Sequence, residues 1–372
     1  MKPTPSLRAV ALFGLAALLT ACGDDPERPD PVSPWREAAF EEPLQGGAIL
    51  GIAFSATRGI AVGAVASGAA PEQTFGPFLL ARQEDGAWAR DSGVSLPAQG
   101  MLLAAGIEAS GDAVVAGIDH VSPTGFVLDE RGGWSRHDVA FGALAFAASG
   151  DTLRFGGAAG GNQQIVVSTS SDVWTLESLP YPTGGEHGIE DVAAGSGHWA
   201  ACGFDDGGDG TPESPNSVLF RDQGTGWERI GVECGGCTNW EFQSVAVSDE
   251  GGIVLGGSIT NFAGGANEYT AFLLLRSAGG DWAEIVLPAA QELMTVNDIL
   301  FARDGVAYLA CGRESAFILR WPPGGSVTRD AAFASARINR LAEAPDGSIS
   351  AAGAHLTNEG DVDRPAIWVR GS

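Results

Sequence analysis

Trp199-Ala200-Ala201-Cys202-Gly203 is a short apolar run ended by glycine, and six other segments repeat its form. They are Ile60-Ala61-Val62-Gly63, Ala113-Val114-Val115-Ala116-Gly117, Leu153-Arg154-Phe155-Gly156, Ile253-Val254-Leu255-Gly256, Tyr308-Leu309-Ala310-Cys311-Gly312 and Ile349-Ser350-Ala351-Ala352-Gly353. A tight turn precedes several of them: Ser110-Gly111-Asp112, Ser149-Gly150-Asp151, Asp304-Gly305 and Asp346-Gly347. Such dipeptides supply the positive φ of a two-stranded hairpin. Another apolar stretch stands before each turn. After each glycine come a variable loop, a third apolar stretch, a Gly-rich turn and a short fourth stretch. Trp88, Trp134, Trp174, Trp227 and Trp282 mark that last turn, and Val327 takes the place in the sixth unit. Four short strands every 40 to 55 residues are the signature of propeller blades. The sequence therefore predicts an all-β, seven-bladed β-propeller of four-stranded antiparallel blades over residues 33–372.

The seventh unit stops after its third strand, Pro365-Ala366-Ile367-Trp368-Val369-Arg370. Pro34-Trp35-Arg36-Glu37-Ala38-Ala39 resembles the fourth strands at Trp227 and Trp282 and stands before unit one. The last blade is thus expected to be closed by an N-terminal strand, which removes an open edge. A transmembrane barrel also alternates, but aromatics are only 8% of the chain and form no double girdle.

Composition narrows the function. Gly is 54 of 372 residues and charged residues are 18%, a pattern of frequent turns rather than disorder. Lys2 is the single lysine, which excludes P-loop and Schiff-base chemistry in the body of the chain. A net charge of −25 repels nucleic acid and anionic lipid surfaces.

Residues 1–21 read as a secretory leader: Lys2 and Arg8, then an apolar run from Ala9 to Leu19, too short to span a bilayer. Leu19-Thr20-Ala21-Cys22 resembles the lipobox of bacterial lipoproteins. The resemblance makes Cys22 the lipidated N-terminus and the membrane a partner through its acyl chains. Gly23 after the Cys points, by analogy, to the outer membrane or cell surface. Residues 22–32 then form the lipidated Cys and a polar, Pro-rich tether.

Glu84-Asp85-Gly86-Ala87-Trp88 and Ser170-Ser171-Asp172-Val173-Trp174 resemble degraded Asp-boxes of the sialidase-like (BNR-repeat) propellers, and Asp281-Trp282 retains less. The likeness implies the fold, with each Trp as packing beneath a turn. A sialidase-like activity would need an Arg cluster, an acid and a Tyr with a partner carboxylate. Arg337-Ile338-Asn339 resembles that family's Arg-Ile-Pro but lacks the Pro, and the chain has three Tyr. No Gly-x-Ser-x-Gly and no His-Glu-x-x-His occurs.

Other candidate sites lie in loops. Asp205-Asp206-Gly207-Gly208-Asp209-Gly210-Thr211 is acidic and Gly-rich, and with Glu213 nearby its oxygens suit Ca²⁺; Asp205, Asp209 and Glu213 are the candidate ligands. The bland reading is a solvated acidic loop. The blade register places His120, His187 and His355 in loops on the same face as that stretch, with Asp206, Asp361 and Asp363. Cys234-Gly235-Gly236-Cys237 suits a local disulfide outside the cytoplasm. Cys202 and Cys311 read as buried thiols at one shared repeat position. Asp191, Ser244, Asp298 and Arg340 hold similar positions in units four to seven, with Asp298 and Arg340 expected to pair between neighbouring blades.

The sequence thus predicts a monomeric, lipid-anchored envelope protein. It binds a protein partner or a glycan through one face and is not an enzyme. A carbohydrate-active enzyme on that face and an envelope assembly factor are the alternatives.

Overall fold

The computed structural model describes residues 34–68, 73–121, 124–139, 142–149, 152–158, 164–169, 174–180, 187–205, 216–232, 240–263, 266–357 and 363–371. Their strands pair into seven four-stranded antiparallel sheets. Each sheet is a meander whose strands lie in chain order from an inner strand outward, except the last. The inner strands are Gly47–Phe54, Gly100–Ile107, Gly142–Ser149, His187–Gly195, Trp240–Val247, Val296–Phe301 and Ala336–Glu343, in sheets 1 to 7. Each packs on the next, and the seventh packs on the first, so the sheets close a ring.

In sheet 7 the outermost strand is Trp35–Glu37, paired antiparallel with Arg364–Arg370 from the far end of the chain. The closing strand is anchored by side chains as well. Trp35 is buried, and its Nε1 donates to Asp330 Oδ2 at 2.7 Å. Glu37 meets Arg364 at 2.6 Å and His355 at 3.1 Å.

Alternating residues point to opposite faces of a strand, so each sheet is apolar on both faces and buries both against neighbours. Seven buried apolar clusters result, one between each pair of adjoining sheets. Phe78, Phe126, Phe155 and Phe220, from second and third strands, are almost fully buried there. Trp88, Trp134, Trp174, Trp227 and Trp282 all pack on these clusters. The turn before Trp88 is an Asx turn, with the Ala87 N–H donating to Asp85 Oδ1 at 2.9 Å. Residues 170–173 lie outside the described residues.

Every inner strand carries a β-bulge at the same place, between residues 49/51, 102/104, 143/145, 189/191, 242/244, 296/298 and 338/340. A bulge lets one strand contribute an extra residue and turns its side chain. It also brings a carbonyl against the second strand. A Cβ on Gly353 would stand 1.9 Å from the Arg337 carbonyl oxygen, which explains the glycine.

The register at the bulge corrects three details of the repeat reading. In sheet 3 the glycine matching Gly63 is Gly157, opposite Ala143, rather than Gly156. The partner of Phe242, matching Gly63 opposite Ile49, is Gly257 rather than Gly256. Cys202 lies opposite Asp191, just past the bulge, whereas Cys311 lies opposite Val296, just before it. They do not share a repeat position. One residue of offset turns a side chain to the other face of its sheet. Both thiols are free and fully buried, and burial raises their pKa.

Candidate functional site

The bulges concentrate polar groups around the ring axis. The extra residues are Leu50, Leu103 and Leu144 in sheets 1 to 3, then Glu190, Gln243, Asn297 and Asn339 in sheets 4 to 7. The next residue in sheets 4 to 7 is Asp191, Ser244, Asp298 or Arg340. These side chains stitch neighbouring sheets together. Asp191 Oδ2 accepts from the Val245 N–H at 2.9 Å, and Asp298 Oδ2 from the Leu341 N–H at 2.6 Å. Asn297 Nδ2 donates to the Ile338 carbonyl at 3.1 Å, and Asn339 Nδ2 to the Ile49 carbonyl at 2.7 Å.

Arg340 sits at the centre of the group. Its Nη1 lies 3.1 Å from Asp298 Oδ1 in sheet 6 and 3.1 Å from Asp191 Oδ1 in sheet 4. One guanidinium serves two buried carboxylates. Burial raises Asp191 to about 6, with Arg340 pulling it down and Asp298 pushing it up. Burial raises Asp298 too, against Arg340. Burial opposes the Arg340 charge, but the two carboxylates outweigh it and keep the guanidinium firmly protonated.

Arg340 lines two chambers. The larger, about 920 Å³, is bordered by the ends of the inner strands and the turns that follow them, with Asp249, Glu250 and Arg303 among its residues. The smaller, about 510 Å³, lies toward the starts of the inner strands, the face bearing the second-to-third-strand loops. Leu50, Leu103, Phe204 and Phe242 give it apolar walls. Glu190, Glu241, Gln243, Asn297, Arg337 and Asn339 give it polar ones. Burial raises the pKa of Glu190, Arg340 lowers it, and nearby Glu241 raises it further. Arg313 reaches Glu241 at 3.5 Å and stacks 3.7 Å from the Tyr269 ring centroid.

Among the described candidates, His120, His355 and Asp363 do not line this chamber. His120 stacks edge-on with Phe75, at 6.1 Å between centroids. His187 and His355 are not in loops: the bulged inner strand of sheet 4 begins at His187, and the second strand of sheet 7 runs on through His355. His355 is held by Glu37 and packs on Trp368, so it belongs to the ring closure. Asp363 Oδ1 accepts from the Thr357 N–H at 3.4 Å. Asp205 ends the second strand of sheet 4. Cys22, Asp206, Asp209, Glu213, Cys234, Cys237 and Asp361 lie outside the described residues. Among the described residues, no group of three His, Cys, Asp or Glu side chains could hold a metal ion, and no helix is long and apolar enough to cross a membrane.

Sequence reasoning misses Glu190, Glu241, Gln243, Asn297 and Asn339 as site residues. For four of them the signal is the repeated pair Glu190-Asp191, Gln243-Ser244, Asn297-Asp298 and Asn339-Arg340. Two adjacent polar residues break the alternation of an inner strand, and a bulge is what makes room for both.

No protein-family model matches the chain, and no curated protein matches it. Solved structures do. The structure of YCF48 bound to D1 peptide matches with a TM-score of 0.56 at 12% identity, over 92% of this chain and 98% of that one. The polysaccharide lyase Uly1 matches with a TM-score of 0.54 at 9% identity, over 90% and 91%. The chain is a β-propeller. At these identities the likeness extends to the fold alone, and propellers host many functions.

Proposed function

We propose that this chain is a lipid-anchored envelope protein whose seven-bladed ring binds a protein partner or a glycan through its loop face, without catalysis. The observation that carries the binding reading is the chamber of about 510 Å³ at the ring centre, open on that face. Its volume falls in the range of ligand cavities, ~300–1,000 Å³. Its mixed lining of aliphatic, aromatic and amide groups suits a surface that recognises rather than reacts. One neighbour of the same fold binds a peptide and another is a polysaccharide lyase, which fits either class of partner.

The anchor rests on the Cys22 lipobox. Metabolic labelling with a fatty acid tests it: label retained by Cys22→Ser would remove the anchor. The binding reading is tested by passing the protein over glycan arrays and by cross-linking it in its own envelope. Failure of both to give a saturable partner that Arg337→Glu displaces would overturn it.

One observation favours a second reading, a carbohydrate-active enzyme. Glu190 and Glu241 share the chamber, and burial raises the pKa of Glu190. Glycoside hydrolysis uses such a pair, one protonated and one ionised. Turnover of a polysaccharide by the wild type and none by Glu190→Gln would replace the binding reading with this one.

A further inference from the structure

The chamber holds two opposite charges that do not meet. Arg337 is exposed on its wall, and among the described residues it makes no hydrogen bond and no ion pair. Glu190 is half-buried on the same chamber. It too has no hydrogen-bond or ion-pair partner among the described residues. The other arginines close by are committed: Arg340 to Asp191 and Asp298, Arg313 to Glu241 and Tyr269. Two opposite charges that share a cavity without pairing leave a gap that a ligand can bridge.

We infer that this chamber binds a small zwitterion, an α-amino acid with an apolar side chain, with its carboxylate on Arg337 and its ammonium on Glu190. The inference goes beyond the partner reading, since it needs only the chamber and not the loops.

The charges choose the ligand class. A neutral ligand that displaced water would leave both charges desolvated and unpaired, which is costly. A simple cation would leave Arg337 unpaired, and a simple anion would leave Glu190 unpaired. A zwitterion meets both, each through a charge-assisted hydrogen bond. An ammonium brings three donors. Glu190 takes one, and the amide oxygens of Asn297 and Asn339 remain as acceptors because their Nδ2 atoms are spent on backbone carbonyls. Leu50 and Leu103, in sheets 1 and 2, put an apolar wall on the same chamber, and Phe204 adds to it. An aliphatic or aromatic side chain is what such a wall admits. The raised pKa of Glu190 also has a cause that the ligand removes: an ammonium beside it restores the ionised form, so binding releases a proton near the pKa of Glu190.

Isothermal titration calorimetry on the full-length protein with a panel of apolar L-amino acids tests this. Two probes, 3-methylbutylamine and 4-methylpentanoate, each keep the leucine side chain and one of its charges. At least one amino acid should saturate the protein, and both one-charge probes should bind about tenfold or more weakly. Arg337→Gln should reduce leucine to the level of the amine, and Glu190→Gln to that of the acid. Both variants should melt as the wild type does, because one side chain is exposed and the other change is isosteric. Three results would overturn the inference: no saturation at millimolar amino acid, one-charge probes that bind as well as leucine, or variants that bind unchanged. If a glycan or protein binds while every amino acid fails, the partner reading stands and this one falls.

Discussion

Arg340 Nη1 lies 3.1 Å from Asp191 Oδ1, across the ring axis and 149 residues along the chain. Asp298, in the adjoining sheet, completes the group at the same distance. Two chambers meet at Arg340, one toward each face of the ring. Three sheets therefore depend on one side chain at the axis.

Arg340→Met should be strongly destabilising. It leaves Asp191 and Asp298 buried without their cation, and breaking a buried pair from one side costs about 3–5 kcal/mol. Adding Asp191→Asn and Asp298→Asn to the same chain should recover much of the loss. Guanidinium denaturation of the single and triple variants measures both, and a single variant as stable as the wild type would show the group to be dispensable.

Stability should carry a signature of Asp191. Its carboxyl titrates at about 6 in the folded state and near 3.8 when exposed. Between those values the folded state binds more protons than the unfolded one. The contribution of Asp191 to stability therefore rises as pH falls from about 6 toward 3.8, and is lost as pH rises through that window. Denaturant midpoints of wild type and Asp191→Asn, compared across pH 4 to 7, isolate the slope. Parallel curves would contradict it.

Gly353→Ala should weaken the fold by pressing on the backbone of Arg337, a residue of the chamber wall. The new Cβ would meet the Arg337 carbonyl oxygen at 1.9 Å, and backbone cannot swing aside as a side chain can. Overpacking of this kind costs about 1–3 kcal/mol. A melting temperature equal to wild type would mean the bulge adapts.

Trp35→Ala should open the ring at its seam. Trp35 packs edge-on against Phe333, 6.3 Å between centroids, and donates to Asp330. Large-to-small changes at a buried aromatic cost about 3–5 kcal/mol. Hydrogen exchange should rise first along Arg364–Arg370, which pairs with the lost strand. Uniform exchange across all sheets would argue against a local seam.

Arg154→Lys should be costlier than its charge suggests. Arg154 lies between the rings of Trp199 and Trp227, at 4.4 and 4.9 Å, and pairs with Asp222 at 2.8 Å and Glu177 at 3.0 Å. A planar guanidinium can stack and pair at once, and an ammonium cannot. Thermal melts of Arg154→Lys beside an exposed control, Arg229→Lys, compare the two.

The four-strand repeat and the fourth strand displaced to Trp35–Glu37 were legible in the amino-acid order, as were Gly63, Gly117, Gly203 and Gly353, which lie opposite the bulge rather than at strand ends. They are local: alternation, turn chemistry and period need no partner. Asp298 with Arg340 was legible for the same reason, since adjoining units place matching residues side by side. Tertiary structure decided what the repeat could not express. Pairing across the bulge set Cys202 just past it and Cys311 just before it, on opposite faces of their sheets, and the bulge itself turned Glu190, Gln243, Asn297 and Asn339 toward the axis. Ring closure brought Asp191 to Arg340 across three units and set Arg337 and Glu190 on one chamber. Those distances follow from how many sheets complete the circle, and no single repeat contains that information.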